Sequence, residues 1–204
     1  MTTSRDSAPL KGLVLAGGRS ARMGVDKCAI ELHGAPQARH CFGLLQQFVS
    51  ETWVSARPEQ RALPSLSGLP LLEDRYEGIG PVSGVLSAME AQPESAWLVL
   101  ACDLPLAEAR GVRTLIEGRD SARLGTAYMA SDGFFEPLFA IYEPSMQRWL
   151  HERLERGRYS LREALADADV RLLCPPDEQT LINVNTPEEL AQVRQAIAQA
   201  QVRA

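Results

Sequence analysis

The sequence predicts an α/β protein: three layers, with a mostly parallel central sheet covered by helices on both faces. Three observations lead there. Short apolar runs, Lys11–Ala16 and Ala96–Ala101 above all, have the length and the flanking turn residues of fully buried strands. Stretches with helical apolar spacing stand between such runs. A chain of 204 residues, 45% of them hydrophobic, is large enough for one domain with a full core.

Lys11–Ala16 (K-G-L-V-L-A) reads as the first strand and runs into Gly17-Gly18, the start of a loop that lasts to Lys27. Ala35-Pro36 opens a helix whose apolar positions are Ala38, Cys41, Phe42, Leu45, Phe48 and Val49. Thr52–Ala56 and Leu69–Glu73 follow as strands, Gly78–Gly84 as a glycine-bearing turn and Val85–Glu90 as helix. Ala96–Ala101 is a strand stopped by C-D-L-P, and a helix follows around Ala107–Glu117. Further strands are placed near Gly125–Ala130 and Pro137–Ile141. Ser160-x-x-Glu163 and Thr186-Pro187-x-Glu189 are capping boxes that start helices. The last helix, Pro187–Gln201, carries Leu190, Val193 and Ile197 on one face. The chain divides into a flexible tail, 1–10, and a single domain, 11–204.

Composition excludes several function classes. The net charge of −5 speaks against a nucleic-acid surface. Yet residues 1–40 hold six Lys/Arg against three Asp/Glu, which suggests a focused anion site. The apolar runs are too short for the ~18 residues of a membrane span, and the polar opening lacks a secretory signal. A cytoplasmic protein with no membrane or nucleic-acid partner is the expectation. Cys28, Cys41, Cys102 and Cys174 form no C-x-x-C pair, so they read as reduced, mostly buried thiols. His33, His40 and His151 are too scattered for a histidine metal cluster.

In such sheets ligands bind beyond the carboxyl ends of the strands, which points to the loops after Ala16, Glu73 and Ala101. The first of these carries L-A-G-G-R-S-A-R-M-G-V-D-K, Leu15–Lys27. Its glycines let backbone N–H groups approach a phosphate. Arg19, Arg22 and Lys27 can neutralise a triphosphate. No Gly-Lys-Ser/Thr of a P-loop and no G-x-G-x-x-G of a dinucleotide site is present. Asp103, at the carboxyl end of Ala96–Ala101, can hold Mg²⁺ through oxygen. Alone it would be only a turn or helix-cap residue; beside a phosphate loop in the same sheet it reads as functional.

L-A-G-G-x-S-x-R-M-G-x-D-K resembles the loop of the molybdenum cofactor guanylyltransferases, within the nucleotidyltransferase superfamily. G-P-V-S-G (Gly80–Gly84), C-D-L-P and N-V-N-T-P-E-E-L (Asn183–Leu190) resemble that family's other segments in the same order. The resemblance implies a Rossmann-like nucleotide-diphospho-sugar transferase fold. It implies a reaction in which GTP and the molybdenum cofactor give the guanine dinucleotide form and pyrophosphate, with Mg²⁺ as cofactor. By the same carry-over, Arg22, Lys27 and Asp103 are catalytic. Leu15, Ala16, Gly17, Gly18, Arg19, Ser55, Asp74, Gly80 and Gly84 bind the nucleotide together with Lys27 and Asp103. Asn185 or Asn183 shares the metal with Asp103, Asn185 being the first choice. Ser55 stands where a purine-contacting Asn is common in the family, so guanine selectivity rests on the resemblance. Glu136-Pro137 falls in the acceptor-side region, where shaping the acceptor site and plain strand entry are equal readings. Arg158 and Tyr159 are weaker candidates there. Implied partners are cofactor-biosynthesis proteins and acceptor molybdoenzymes. The alternatives are a cytidylyltransferase or sugar-phosphate nucleotidyltransferase of the superfamily, and a non-catalytic GTP-binding module.

Overall fold

The computed structural model describes residues 7–16 and 26–203; residues 1–6, 17–25 and 204 lie outside the described residues. The strands are β1 (Leu10–Leu15), β2 (Glu31–Leu32), β3 (Ala35–Pro36), β4 (Thr52–Ala56), β5 (Leu71–Glu73), β6 (Ala96–Ala101), β7 (Gly125–Met129), β8 (Phe135–Tyr142) and β9 (Val170–Leu173). The helices are α1 (Gln37–Gln46), α2 (Val82–Ala91), α3 (Ala109–Glu117), α4 (Met146–Glu155), α5 (Leu161–Ala166) and α6 (Pro187–Arg203). Among the described residues seven strands form one sheet in the order β5-β4-β1-β6-β8-β7-β9. β1, β4, β5 and β6 run parallel, and β7 runs parallel to β9. β8 is antiparallel to both its neighbours, β6 and β7. The mostly parallel α/β sheet is therefore as expected, with one reversed strand.

The period of two along β1 and β6 divides the core. Val14, Leu98 and Leu100 face a cluster built with Ala38, Cys41 and Leu45 of α1 and Val112 and Leu115 of α3. Leu13, Leu15, Trp97 and Val99 face the other side, against α2, α4 and α5. Both faces are dry, which is why these strands read as continuous apolar runs. α6 turns Val193 and Ile197 onto Leu32 and Val184 in a third cluster, so its foreseen apolar face is used.

Several elements depart from the sequence reading. Ala35-Pro36 does not open α1 as helix; it pairs with Glu31–Leu32 in a two-stranded hairpin, and Pro36 becomes the N-cap. The turn between them is His33-Gly34, with φ of 39° and 75°, the left-handed pair that a two-residue hairpin turn requires. α4 and β9 were not foreseen. β8 starts two residues early because its pairing with β7 shifts between Ala127 and Tyr128. Pro137, which has no N–H to give a ladder, sits in that bulge. The capping box at Thr186 is complete: Thr186 Oγ1 accepts from Glu189 N and Glu189 Oε2 from Thr186 N. At Ser160 only one arm forms, since Glu163 pairs with Arg153 and Arg158 instead.

A buried ion pair closes the end of the sheet away from these loops. Glu143, 1% exposed, takes a two-pronged contact from Arg119, Nε to Oε1 at 2.6 Å and a second nitrogen to Oε2 at 2.9 Å. Arg119 also donates to the Ala8 carbonyl, and Pro9 O accepts from Ala96 N, so the lead into β1 is bound to the sheet. Cys28, Cys41 and Cys102 are buried free thiols and Cys174 is exposed. No described helix is long and apolar enough to cross a membrane.

Candidate functional site

Parallel strands end together, and here the carboxyl ends of β1, β4, β5 and β6 border a cavity of about 590 Å³. Its wall includes Leu15 from β1, Ser55 from β4, Asp74 after β5, and Asp103 after β6. Gly80 and Gly84 enter from the start of α2, and Lys27 from the turn before β2. Ala16 is one residue beyond β1, buried, with its N–H on Ser55 O at 3.0 Å. Gly17, Gly18, Arg19 and Arg22 lie outside the described residues.

Three side chains predicted from separate motifs meet here: Lys27 and Asp103 stand on the cavity wall, and Asn185 reaches Lys27 from outside that wall. The Lys27 ammonium donates to Asn185 Oδ1 at 2.6 Å and to Asp103 Oδ2 at 3.3 Å. The backbone explains the meeting: Val184 N donates to the Asp103 carbonyl at 2.8 Å, which lays Asn183–Asn185 alongside the end of β6. Asp103 Oδ1 is buried and has no hydrogen-bond partner among the described residues. The Asp103 carboxylate and the Asn185 amide oxygen, both contacting the Lys27 ammonium, are hard oxygen donors of the kind that suits Mg²⁺. Asn183 is turned elsewhere; its Nδ2 donates to Glu136 Oε2 at 3.4 Å.

The opposite part of the wall is built around Ser55. Its hydroxyl donates to Asp74 Oδ1 at 2.5 Å. A Cβ on Gly84 would stand 2.2 Å from Ser55 Oγ and 2.8 Å from Leu15 Cδ2, so only glycine lets α2 approach the strand ends this closely. Gly80, at φ 77°, makes the turn that starts the helix.

Burial pushes the Asp74 carboxyl above its ordinary 3.8, and the Ser55 hydroxyl and Arg57 pull it partly back. Folding raises this pKa, so the folded state holds the proton more readily than the unfolded chain. Ionised Asp74 therefore costs stability at neutral pH, and the cost fades as pH falls through the raised value. Asp74→Asn keeps an acceptor for Ser55 without the charge. It is expected to raise Tm at pH 7 by about 2 °C while weakening nucleotide binding, and the gain is expected to shrink in acid. Thermal melts at pH 7 and pH 4.5 check this, and a variant less stable than wild type at pH 7 contradicts it.

Glu136 is buried, and desolvation raises its carboxyl, with the nearby Asp103 charge adding to the shift. Its Oε1 accepts from Leu138 N at 2.7 Å, a donor the bulge in β8 frees from the ladder. Arg158 is engaged with Glu163 and Asp167, and Tyr159 is exposed; neither lines the cavity. Sequence reasoning missed Arg57, Tyr76 and Glu77, which do. Arg57 directly follows β4, so the strand-end rule could have found it. Gln60, buried behind Arg57, has no local signal, because two of its partners, Ala16 and Asp26, are far away in sequence.

A family model described as MobA-like NTP transferase domain matches residues 12–173. A molybdenum cofactor biosynthesis bifunctional protein of Synechocystis sp. is 36% identical over 91% of this chain. The chain spans about half the length of that relative, 54%. A probable molybdenum cofactor guanylyltransferase of Opitutus terrae is 32% identical, with 91% of this chain and 95% of that one covered. Among solved structures, molybdopterin-guanine dinucleotide biosynthesis protein A of Archaeoglobus fulgidus superposes with a TM-score of 0.78 at 22% identity. The match covers 93% of this chain and 99% of that one. At that identity the likeness establishes the fold.

Proposed function

The chain belongs to the MobA-like NTP transferase family, and from that membership we propose that it transfers GMP from GTP to the molybdenum cofactor, forming the guanine dinucleotide and releasing pyrophosphate. The observation that carries this reading is that Lys27, on the wall of the strand-end cavity, contacts both Asp103 and Asn185. Relatives named molybdenum cofactor guanylyltransferase support the substrate pair.

An oxygen of the acceptor's terminal phosphate attacks the α-phosphorus of GTP in line; the bond to the β-phosphate bridging oxygen breaks, and pyrophosphate leaves. No covalent enzyme intermediate is needed, so the protein supplies positioning and charge. Lys27, with Arg19 and Arg22, counters the triphosphate charge, and the backbone N–H groups of Gly17 and Gly18 are the ones left to hold its oxygens, since that of Ala16 is bonded to Ser55 O. Ser55, Asp74, Gly80 and Gly84 shape the nucleoside end. Asp103 and Asn185 would hold Mg²⁺, which when bound supplies Lewis-acid charge to the phosphate oxygens. Lys27 then passes its contact with Asn185 to the triphosphate. Residence in the cytoplasm, and delivery of product to molybdoenzymes, belong to the same proposal.

The test is to incubate the protein with molybdenum cofactor and each of the four NTPs, with and without Mg²⁺, and follow pyrophosphate. Release with GTP and Mg²⁺ is expected. Release with CTP alone would make the protein a cytidylyltransferase. A rise in Tm with GTP but no pyrophosphate from any NTP would leave only a binding module.

A further inference from the structure

We propose that Gln60 is a positioning residue for triphosphate binding: its buried carboxamide ties Asp26, the residue before Lys27, to Ala16 at the end of β1 and holds Arg57 at the cavity wall. The proposal rests on reading Lys27 as a triphosphate-binding residue.

Gln60 ends a single turn of 3₁₀-helix, Pro58–Gln60, just after β4, and is 1% exposed. A carboxamide offers two N–H donors and an oxygen with two lone pairs, and here all four are taken. Nε2 donates to the Ala16 carbonyl at 3.2 Å and to Asp26 Oδ1 at 3.0 Å. Ala16 directly follows β1, and Asp26 directly precedes Lys27. Oε1 accepts from Arg57 N at 3.1 Å and from Arg57 Nε at 3.3 Å. The opposite amide orientation would set donors against the two Arg57 N–H groups and an oxygen against two oxygens, so the network admits only one assignment.

Ala16 and Asp26 are held unequally, and Gln60 links them. Ala16 is bonded into the sheet through Ser55 O. Asp26 is a partly exposed side chain, which also stands 3.6 Å from the Arg57 guanidinium. Gln60 thus carries the rigidity of the sheet across to Asp26, and the next residue is Lys27, whose ammonium meets Asp103 and Asn185. Fixing Asp26 relative to Ala16 sets where the Lys27 ammonium stands beside the cavity. In the proposed reading a phosphate contact from Lys27 depends on that placement, whereas contacts to the nucleoside from Ser55, Asp74 and α2 do not.

That difference separates positioning from mere structural support. Gln60→Leu removes all four bonds. Gln60→Glu keeps the acceptor contacts to Arg57 but sets oxygen against the Ala16 carbonyl and the Asp26 carboxylate. Binding of GTP and of guanosine is measured by calorimetry for each, with Tm alongside. Both variants are expected to bind GTP about 10- to 100-fold more weakly, the usual loss when a partner behind a contacting group is removed, with guanosine binding close to wild type. Adding Asp26→Asn to Gln60→Glu restores a donor opposite the new carboxylate and is expected to recover much of the GTP affinity. Equal losses for GTP and guanosine, or unchanged GTP binding, overturn the proposal. If Gln60→Leu does not fold, recovery in the double variant decides, and its failure to recover counts against the proposal. A wild-type protein that binds no NTP overturns the transferase reading itself, a result distinct from any behaviour of the variants.

Discussion

Asp103→Ala is expected to slow nucleotide transfer by about 10²- to 10³-fold, the loss seen when one preorganised charge-stabilising contact is removed. The fold should survive. The tie between this turn and the Asn183–Asn185 segment is made by the Asp103 carbonyl, which the substitution leaves in place. What is lost is a carboxylate with one oxygen 3.3 Å from the Lys27 ammonium and the other buried with no partner among the described residues. A buried acceptor with no partner is costly to keep, which fits an oxygen held ready for a cation rather than for the fold. Lys27→Ala is expected to give a loss of the same order. If the two groups act on one triphosphate, as proposed, the double variant should be little slower than either single one. Pyrophosphate release with GTP and Mg²⁺, beside a thermal melt, measures all three. Wild-type rates in either folded single variant would refute the assignment.

Glu143→Ala is expected to be the most destabilising of the substitutions considered, at about 3–5 kcal/mol. The side chain is almost fully enclosed, and Arg119, itself largely covered, would be left as an uncompensated charge. Arg119 also holds the Ala8 carbonyl, so the lead into β1 should loosen with it. Guanidinium unfolding midpoints give the value. Replacing both partners by apolar residues should recover most of the loss, because the penalty lies in the unpaired ion rather than in the missing bond. A single-variant loss below about 1 kcal/mol would mean that water reaches the pair, as at surface ion pairs.

The two-sided core was legible because β1 and β6 are apolar on both faces, and residues with no polar side have only one place to go. The strand-end rule pointed to the loops after Ala16, Glu73 and Ala101, and Leu15, Asp74 and Asp103 beside them line the cavity; Ser55, which also lines it, was named from the family resemblance. Elements failed to show where their cause is not local. The β2–β3 hairpin turns on His33-Gly34, a pair without the usual Asn-Gly signal. β9, with Arg171 and Leu172 toward solvent, gains its strand character from pairing with β7. Asn185 rather than Asn183 reaches Lys27, and that choice depends on the Val184–Asp103 backbone bond, which joins residues 81 positions apart. Gln60 was invisible for the same reason.

Because β8 runs against its neighbours, the β7–β8 hairpin opens on the sheet edge where β1, β5 and β6 end, and Glu136 arrives beside Asp103 from the start of a strand. A hairpin is closed by its own two strands, so residues can be added to or removed from its tip without rethreading any crossover. One side of this end of the sheet is thus held by connections that cross between parallel strands, while the other hangs on a locally closed hairpin. A change of length at that tip should therefore leave the order β5-β4-β1-β6 untouched.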